Sequence, residues 1–221
     1  KEAHVSEIDE WLETYVLSDE YKEKKNRFFR AFNPIKRAQR GVRSRIISPY
    51  DDLFKKYAKE LGWDWRLVAA VVYQESKFSI SSRSHRGASG LMQVMPKTGA
   101  IYGITDLTDP EQNLIAGTKH LKRLQGLYRR SKMTKDERIR FTLAAYNAGE
   151  GRIKDCRSLA RSKGLDANVW ANIVKVMPLM KSKEILDEED IRLGKFNGKE
   201  TVEYVDKVMD LYQAICKICP R

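Results

Sequence analysis

Residues 67 to 93 constrain the fold more than any other part of the chain. An unbroken apolar run, Leu67 to Val72, leads directly into Gln74-Glu75-Ser76-Lys77 and then to a glycine-bearing loop, Gly87-Ala88-Ser89-Gly90-Leu91-Met92-Gln93. Val71, Val72, Leu67 and Val68 lie one and two helical turns before Glu75, so the carboxyl continues the face that a helix here must bury. Such a helix has to be covered by other elements along most of its length and left open at its end. A carboxyl in that position loses water on one side. Desolvation disfavours the charged form, so Glu75 is expected to have a raised pKa and to hold a proton near neutral pH, as a general acid must. The plainer alternative is a buried glutamate neutralised by an arginine or lysine.

The rest of the chain repeats the helical period. Tyr50, Leu53, Phe54, Tyr57 and Leu61 form one stripe, which Gly62 ends, and Asp64 is placed to cap the helix that carries Glu75. Pro96 marks another helix start, and Leu114, Ala116, Gly117, His120, Leu121 and Leu124 continue the core pattern. Residues 136–148 and 200–215 read as further helices. No strand alternation rises above this signal, so the fold class is mainly α. Ahead of it, Ile8, Trp11, Leu12, Tyr15 and Val16, then Tyr21, Phe28, Phe29 and Phe32, make residues 1–32 amphipathic helix. Asn33 to Pro49 carries Lys36, Arg37, Arg40, Arg43 and Arg45 with no acidic residue and reads as an exposed linker. The expected division is a helical segment with a basic linker over 1–45 and one larger domain over 46–221, a size sufficient for a single core.

Lys and Arg outnumber Asp and Glu by 42 to 30, for a formal charge of +12. That field favours polyanionic partners, against the alternative of a solvated surface of mixed sign. Zinc-finger spacing, an aromatic RNA-binding signature and a recognition-helix pattern are all missing, so nucleic acid is not expected. The run from Leu67 to Val72 is far short of the roughly 20 residues that span a bilayer. The sequence opens at Lys1 with no charged-then-apolar leader, so an export signal or lipid anchor is expected either to lie upstream of it or to have been removed. Three cysteines, Cys156, Cys216 and Cys219, make no disulfide framework, though Cys156 could pair with either terminal cysteine in an oxidising compartment. Cys216-x-x-Cys219 is half a zinc site without its other half, and His4, His85 and His120 are scattered, so no metal is expected.

Four short strings occur in order: Glu75-Ser76, Gly87 to Gln93, Ala145-Tyr146-Asn147-Ala148-Gly149, and Glu200-Thr-Val-Glu-Tyr204-Val205. Together they resemble the Slt-type lytic transglycosylases, over a span from about Ile47 to about Ile215. The resemblance implies a lysozyme-like helical domain that acts on the glycan strands of peptidoglycan in the periplasm, without metal or organic cofactor. The pattern Ile8-x-x-Trp11-Leu12 through Ser18-x-x-Tyr21 to Arg27-Phe28-Phe29 resembles the closing helices of the solute-binding domain that precedes the catalytic domain in the membrane-bound lytic transglycosylase F group. Residues 1–45 would then be the tail of such a domain, and an outer-membrane anchor would belong to the missing upstream part.

Most glycosidases use two carboxylates. The other candidates, Asp106, Asp109, Glu111 and Glu150, stand in loops or at helix starts with no apolar face to shield them, and capping or solvation explains each. The resemblance accounts for the missing partner. In that family one glutamate protonates the leaving oxygen, the substrate's N-acetyl group assists, and the same glutamate then takes the proton of the muramyl 6-hydroxyl, giving a 1,6-anhydromuramyl end. By the same resemblance Glu75 is the catalytic residue, and Ser84, Met92, Gln93, Tyr146, Asn147 and Tyr204 bind substrate. Packing remains an equal reading for Met92, helix termination for Asn147 and a half-buried aromatic for Tyr204. Ser76 and Ser89 are expected to shape the loop. Two other functions stay open: a hydrolytic lysozyme-type muramidase, and a wall-binding module without catalysis.

Overall fold

The computed structural model describes residues 32–182 and 196–220, together with Trp11, residues 14–18, Tyr21, Ile185 and Leu193. Much of the amphipathic pattern of residues 1–32 therefore lies outside the described residues. Of its members, Trp11 stacks on Tyr15 with ring centroids 4.9 Å apart, and Phe32 is buried against Tyr73 and Phe78.

Nine α-helices carry the described fold: α1 Pro34–Gln39, α2 Asp51–Leu61, α3 Trp65–Ser76, α4 Pro96–Ile101, α5 Pro110–Gly126, α6 Lys135–Ala148, α7 Glu150–Ser162, α8 Trp170–Val176 and α9 Gly198–Ile218. A 3₁₀ turn, Met177–Lys181, follows α8. Among the described residues the extended contacts are two isolated antiparallel bridges, Arg83 with Ser89 and Ser89 with Val94, so the fold is mainly α as the periodicity implies.

The centre of the molecule is α3, packed between α2 and α9. Its residues from Leu67 to Val72 are each no more than 1% exposed, which explains why the sequence is apolar all round there. Gly62 ends α2 in the left-handed region at φ 77°, and Asp64 caps α3 by accepting from the Arg66 N–H at 2.9 Å. The same carboxylate is held by the Arg66 guanidinium and pulled down to a pKa of about 2, chiefly by that hydrogen bond.

Asn33 to Pro49 differs from the linker reading. Asn33 Oδ1 accepts from the Lys36 N–H at 3.0 Å, and Pro34 occupies the first turn, so a short helix forms and lies against α9. Further on, the Asp51 carboxylate accepts the N–H groups of Ile47 and Ser48 at 2.8 and 2.9 Å and folds that pair into the core. The basic side chains still point largely outward, which is why composition alone suggests a linker.

Two further helices were not evident from the sequence. α7 follows Gly149 directly with no side-chain cap, and its apolar stripe is only Ile153, Cys156, Leu159 and Ala160 among charged neighbours. α8 is only seven residues long. Cys156 sits on the inner face of α7, fully buried, with its thiol pushed up to about 12 by burial. Cys219 lies instead at the end of α9 against the Arg45 carbonyl, and Cys156 forms no disulfide with it or with Cys216. The pairing considered from the sequence is therefore not made: one thiol faces the core while the other two belong to the end of α9.

Candidate active site

Glu75 is on the last turn of α3, half-buried, where the helix leaves the core. Because α9 packs along α3, Tyr204 from its second turn reaches the carboxyl, and its phenol donates to Glu75 Oε1 at 2.6 Å. Burial raises the Glu75 pKa from 4.5 to about 7, against the opposing effects of the Tyr204 hydrogen bond and the Lys77 ammonium. Among the described residues Glu75 makes no ion pair, so it is not the neutralised core glutamate of the plainer reading.

The chain turns sharply after Glu75. Lys77 and Phe78 both take left-handed φ values, 53° and 64°, an arrangement that costs a non-glycine residue roughly 1 kcal/mol or more. Two anchors hold the turn. Ser76 Oγ donates to the carbonyls of Val72 and Leu91, and Phe78 buries its ring against Tyr73, Phe54 and Phe32. Ser76 thus ties the helix end to the glycine-bearing loop, as expected.

That loop is held from below by Asn113 of α5, a fully buried side chain. Its Nδ2 donates to the Ser89 and Leu107 carbonyls at 2.9 and 3.0 Å, and its Oδ1 accepts the Met92 N–H at 2.8 Å. Gly90, at φ 78°, passes so close to Asn113 and the Leu107 carbonyl that any side chain would collide with both. Asn113 was not singled out from the sequence; the available signal was a polar residue inside the apolar stripe of α5.

The remaining expected residues fall around this frame. Met92 is wholly buried, its side chain packed on Gly117, and it meets its neighbours through its backbone: the Tyr146 phenol donates to its carbonyl at 2.7 Å. Tyr146 is also close enough to Glu75 for the carboxylate to raise its pKa, in addition to the larger effect of burial. Gln93, at φ 47°, donates from Nε2 to the Ser82 and Gly90 carbonyls at 3.0 Å, which fixes its amide and leaves Oε1 outside those bonds. Asn147 is exposed and accepts from Thr201 Oγ1 at 3.0 Å, joining the end of α6 to the helix that bears Tyr204. Ser84 is exposed on the outer turn of the loop, where its Oγ accepts from the Ala88 N–H at 3.0 Å. The structure therefore brings Glu75, Tyr204, Tyr146 and the loop carrying Gln93 together, with Ser84 on the rim.

The other carboxylates are engaged elsewhere. Asp106 accepts from Thr108, Asp109 caps α5 at Gln112, Glu111 accepts from Lys56 and Tyr57, and Glu150 pairs with Arg123. A lateral group adjoins Tyr146: its ring is 5.7 Å from that of His120, whose Nδ1 is 3.2 Å from the Tyr102 hydroxyl.

Known proteins match this chain over more than half of its length. The family model described as the transglycosylase SLT domain matches residues 52–169. A membrane-bound lytic murein transglycosylase F of Desulfosudis oleivorans is 37% identical over 165 residues, 74% of this chain and 35% of that protein. One of the same name from Vibrio campbellii is 36% identical over 169 residues, 76% of this chain and 31% of that protein. The chain thus spans about a third of the length of these curated relatives. Among solved structures, the 70 kDa soluble lytic transglycosylase of Escherichia coli covers 78% of this chain and 24% of its own, at 28% identity and a TM-score of 0.53. The lytic transglycosylase Slt of Pseudomonas aeruginosa has a TM-score of 0.56 at 23% identity and shares the fold.

Proposed function

This chain belongs to the transglycosylase SLT domain family, and on that premise we propose that it is a peptidoglycan lytic transglycosylase, cutting the MurNAc-GlcNAc β-1,4 bond in the periplasm and leaving 1,6-anhydromuramyl ends. The observation that carries the reading is a single protonatable carboxyl, Glu75 with its pKa at about 7, oriented by Tyr204, while every other candidate carboxylate is committed elsewhere.

The steps follow from that arrangement. Tyr204 donates to Oε1, so the proton of neutral Glu75 resides on Oε2 and passes to the glycosidic oxygen as its bond to the muramyl C1 breaks. The N-acetyl oxygen of the same sugar supports the electron-poor carbon. Glu75, now a carboxylate, accepts the proton of the muramyl 6-hydroxyl as that oxygen bonds to C1. The N-acetyl group is released, Glu75 is again neutral, and no water is consumed. Tyr146 and Gln93, with their polar ends fixed on the loop, line the approach to Glu75 and position the sugar.

Mass spectrometry of muropeptides released from purified peptidoglycan tests this reading. Products lighter by one water than the reducing forms, and lost with Glu75→Gln, are expected. Reducing ends would replace the proposal with hydrolysis, and no release would replace it with a wall-binding module.

A further inference from the structure

His120 of α5 is half-buried beside Tyr146, and the steps at Glu75 do not use it. Its ring centre is 5.7 Å from that of Tyr146 and 6.1 Å from that of Tyr102, with the planes tilted by 56° and 65°. Tyr146 is close enough to feel both Glu75 and Tyr102, so it joins the reactive carboxyl to the pair of His120 and Tyr102.

The hydrogen bonds behind His120 decide which of its nitrogens carries the proton. Glu150, at the start of α7, pairs with the Arg123 guanidinium, which also donates to the Tyr102 hydroxyl at the end of α4. A guanidinium only donates, so the Tyr102 oxygen accepts there and its own proton goes to another partner. That partner is His120 Nδ1, 3.2 Å away. Nδ1 is then the acceptor of the ring, and the neutral imidazole carries its proton on Nε2. Burial first, and then the Arg123 charge, disfavour a second proton, against the opposing effect of Glu150. Among the described residues Nε2 makes no hydrogen bond, and it is not buried, so its N–H points to open space.

A network that served only to pin α4 and α7 onto α5 would be complete at Tyr102. Its extension to a half-exposed imidazole adds little to stability, but it orients one donor beside the carboxyl. Such a donor needs an acceptor oxygen, and a strand of amino sugars offers hydroxyl and acetamido oxygens on every residue. We propose that His120 binds substrate, its Nε2–H donating to a hydroxyl or acetamido oxygen of the sugar next to the one held at Glu75, with Tyr102 and Arg123 as positioning residues that fix the tautomer. This rests on the reading of the chain as an enzyme of glycan strands.

The tautomer is checked first, on the full chain without ligand. Nitrogen NMR shifts of the His120 ring should show protonation at Nε2 alone near neutral pH, and Tyr102→Phe should turn this into a mixture of the two neutral forms. Protonation at Nδ1 in the unaltered protein overturns the proposal.

Binding is then read without turnover, in the Glu75→Gln protein, with a peptide-free tetrasaccharide of alternating GlcNAc and MurNAc as the probe. The His120 Nε2–H signal should move on titration. His120→Ala should weaken binding about fivefold, and His120→Gln, whose amide donates from nearly the same place, should recover most of the loss. In the active chain His120→Ala should raise KM by a similar factor with kcat nearly unchanged. An unmoved Nε2–H signal, no binding of the probe, undiminished binding by His120→Ala, or an equal loss in the alanine and glutamine variants each overturns the proposal. Strands that bind with these effects but yield no cleaved product would instead overturn the cleavage reading and leave His120 as a glycan-binding residue.

Discussion

The Tyr204 phenol donates to Glu75 Oε1 across 2.6 Å, joining residues 129 positions apart in sequence. The bond does two things at once. It fastens α9 to the open end of α3, and it occupies one carboxyl oxygen so that the proton must sit on the other. Burial raises the carboxyl's pKa and Tyr204 lowers it, and the balance of about 7 suits a group that must be acid in one step and base in the next.

Replacing Tyr204 with Phe removes the lowering effect and leaves the burial. The Glu75 pKa then rises further, so the alkaline limb of the pH-rate profile should move upward from about 7, while kcat falls about tenfold because the carboxyl is no longer held in one orientation. Stability should drop by about 1 kcal/mol. An unmoved alkaline limb in the variant would show that the hydrogen bond does not tune Glu75.

Glu75 itself should make the protein less stable at high pH. Its pKa is raised on folding from 4.5 to about 7, so the folded state keeps a proton that the unfolded state has released. Stability from this group is fully present below 4.5 and is lost as pH rises through 7. The shift corresponds to about 3 kcal/mol, an upper figure for a half-buried group. Glu75→Gln should therefore be inactive yet more stable than the parent at pH 8, with a much smaller difference at pH 4. Urea unfolding of both proteins at the two pH values checks this, and a constant gap would argue against a raised carboxyl.

Much of this arrangement was legible in the sequence, for a physical reason. The all-round apolar character of Leu67 to Val72 reports a helix covered on every side, and a polar residue ending such a run is exposed to partial desolvation whatever surrounds it. Gly62 and Asp64 act locally, so their roles follow from spacing alone. What could not be read is non-local. Asn113 shows in the sequence only as a polar residue on the apolar stripe of α5, and the three loop groups that converge on it come from segments remote in the chain. Met92 reads equally as core or cleft until Gly117 is seen to receive its side chain. α7 is hidden because its buried stripe is narrow and its start uncapped, so neither periodicity nor punctuation marks it.

Asn113→Ala tests how far the loop depends on that one side chain. The substitution strands the Met92 N–H and the Leu107 carbonyl in a buried place, while the Ser89 carbonyl keeps the Val94 N–H, and a buried polar group left unpaired costs about 1–3 kcal/mol. A loss of about 3 kcal/mol or more in unfolding free energy is expected. Activity should fall even where the variant is fully folded, because Tyr146 and Gln93 are both fixed through this loop. A stable variant with parental kcat would mean that the backbone of residues 89–92 holds its shape without Asn113.

Gly117→Ala inverts the usual helix rule. In an exposed helix interior, alanine for glycine gains up to about 1 kcal/mol. Here the added methyl would lie 2.8 Å from Met92 Cβ and closer still to its sulfur, so the loop or the helix must shift. Overpacking of this kind costs about 1–3 kcal/mol and should outweigh the helical gain. Displacing Met92 also moves the carbonyl that accepts from Tyr146, so activity should decline along with stability. Met92→Ala alone leaves a cavity and should likewise destabilise, by about 2–5 kcal/mol. Combined, the two changes relieve one another in part: the methyl enters the space vacated by the methionine sulfur and terminal methyl, and only the close approach to the retained Cβ is left for the loop to absorb. Chemical denaturation of the four proteins in this cycle should give a favourable coupling of about 1 kcal/mol or more. Simple additivity would show that Gly117 and Met92 do not meet, and the account of how α5 sets the height of the loop beneath Glu75 would fall with it.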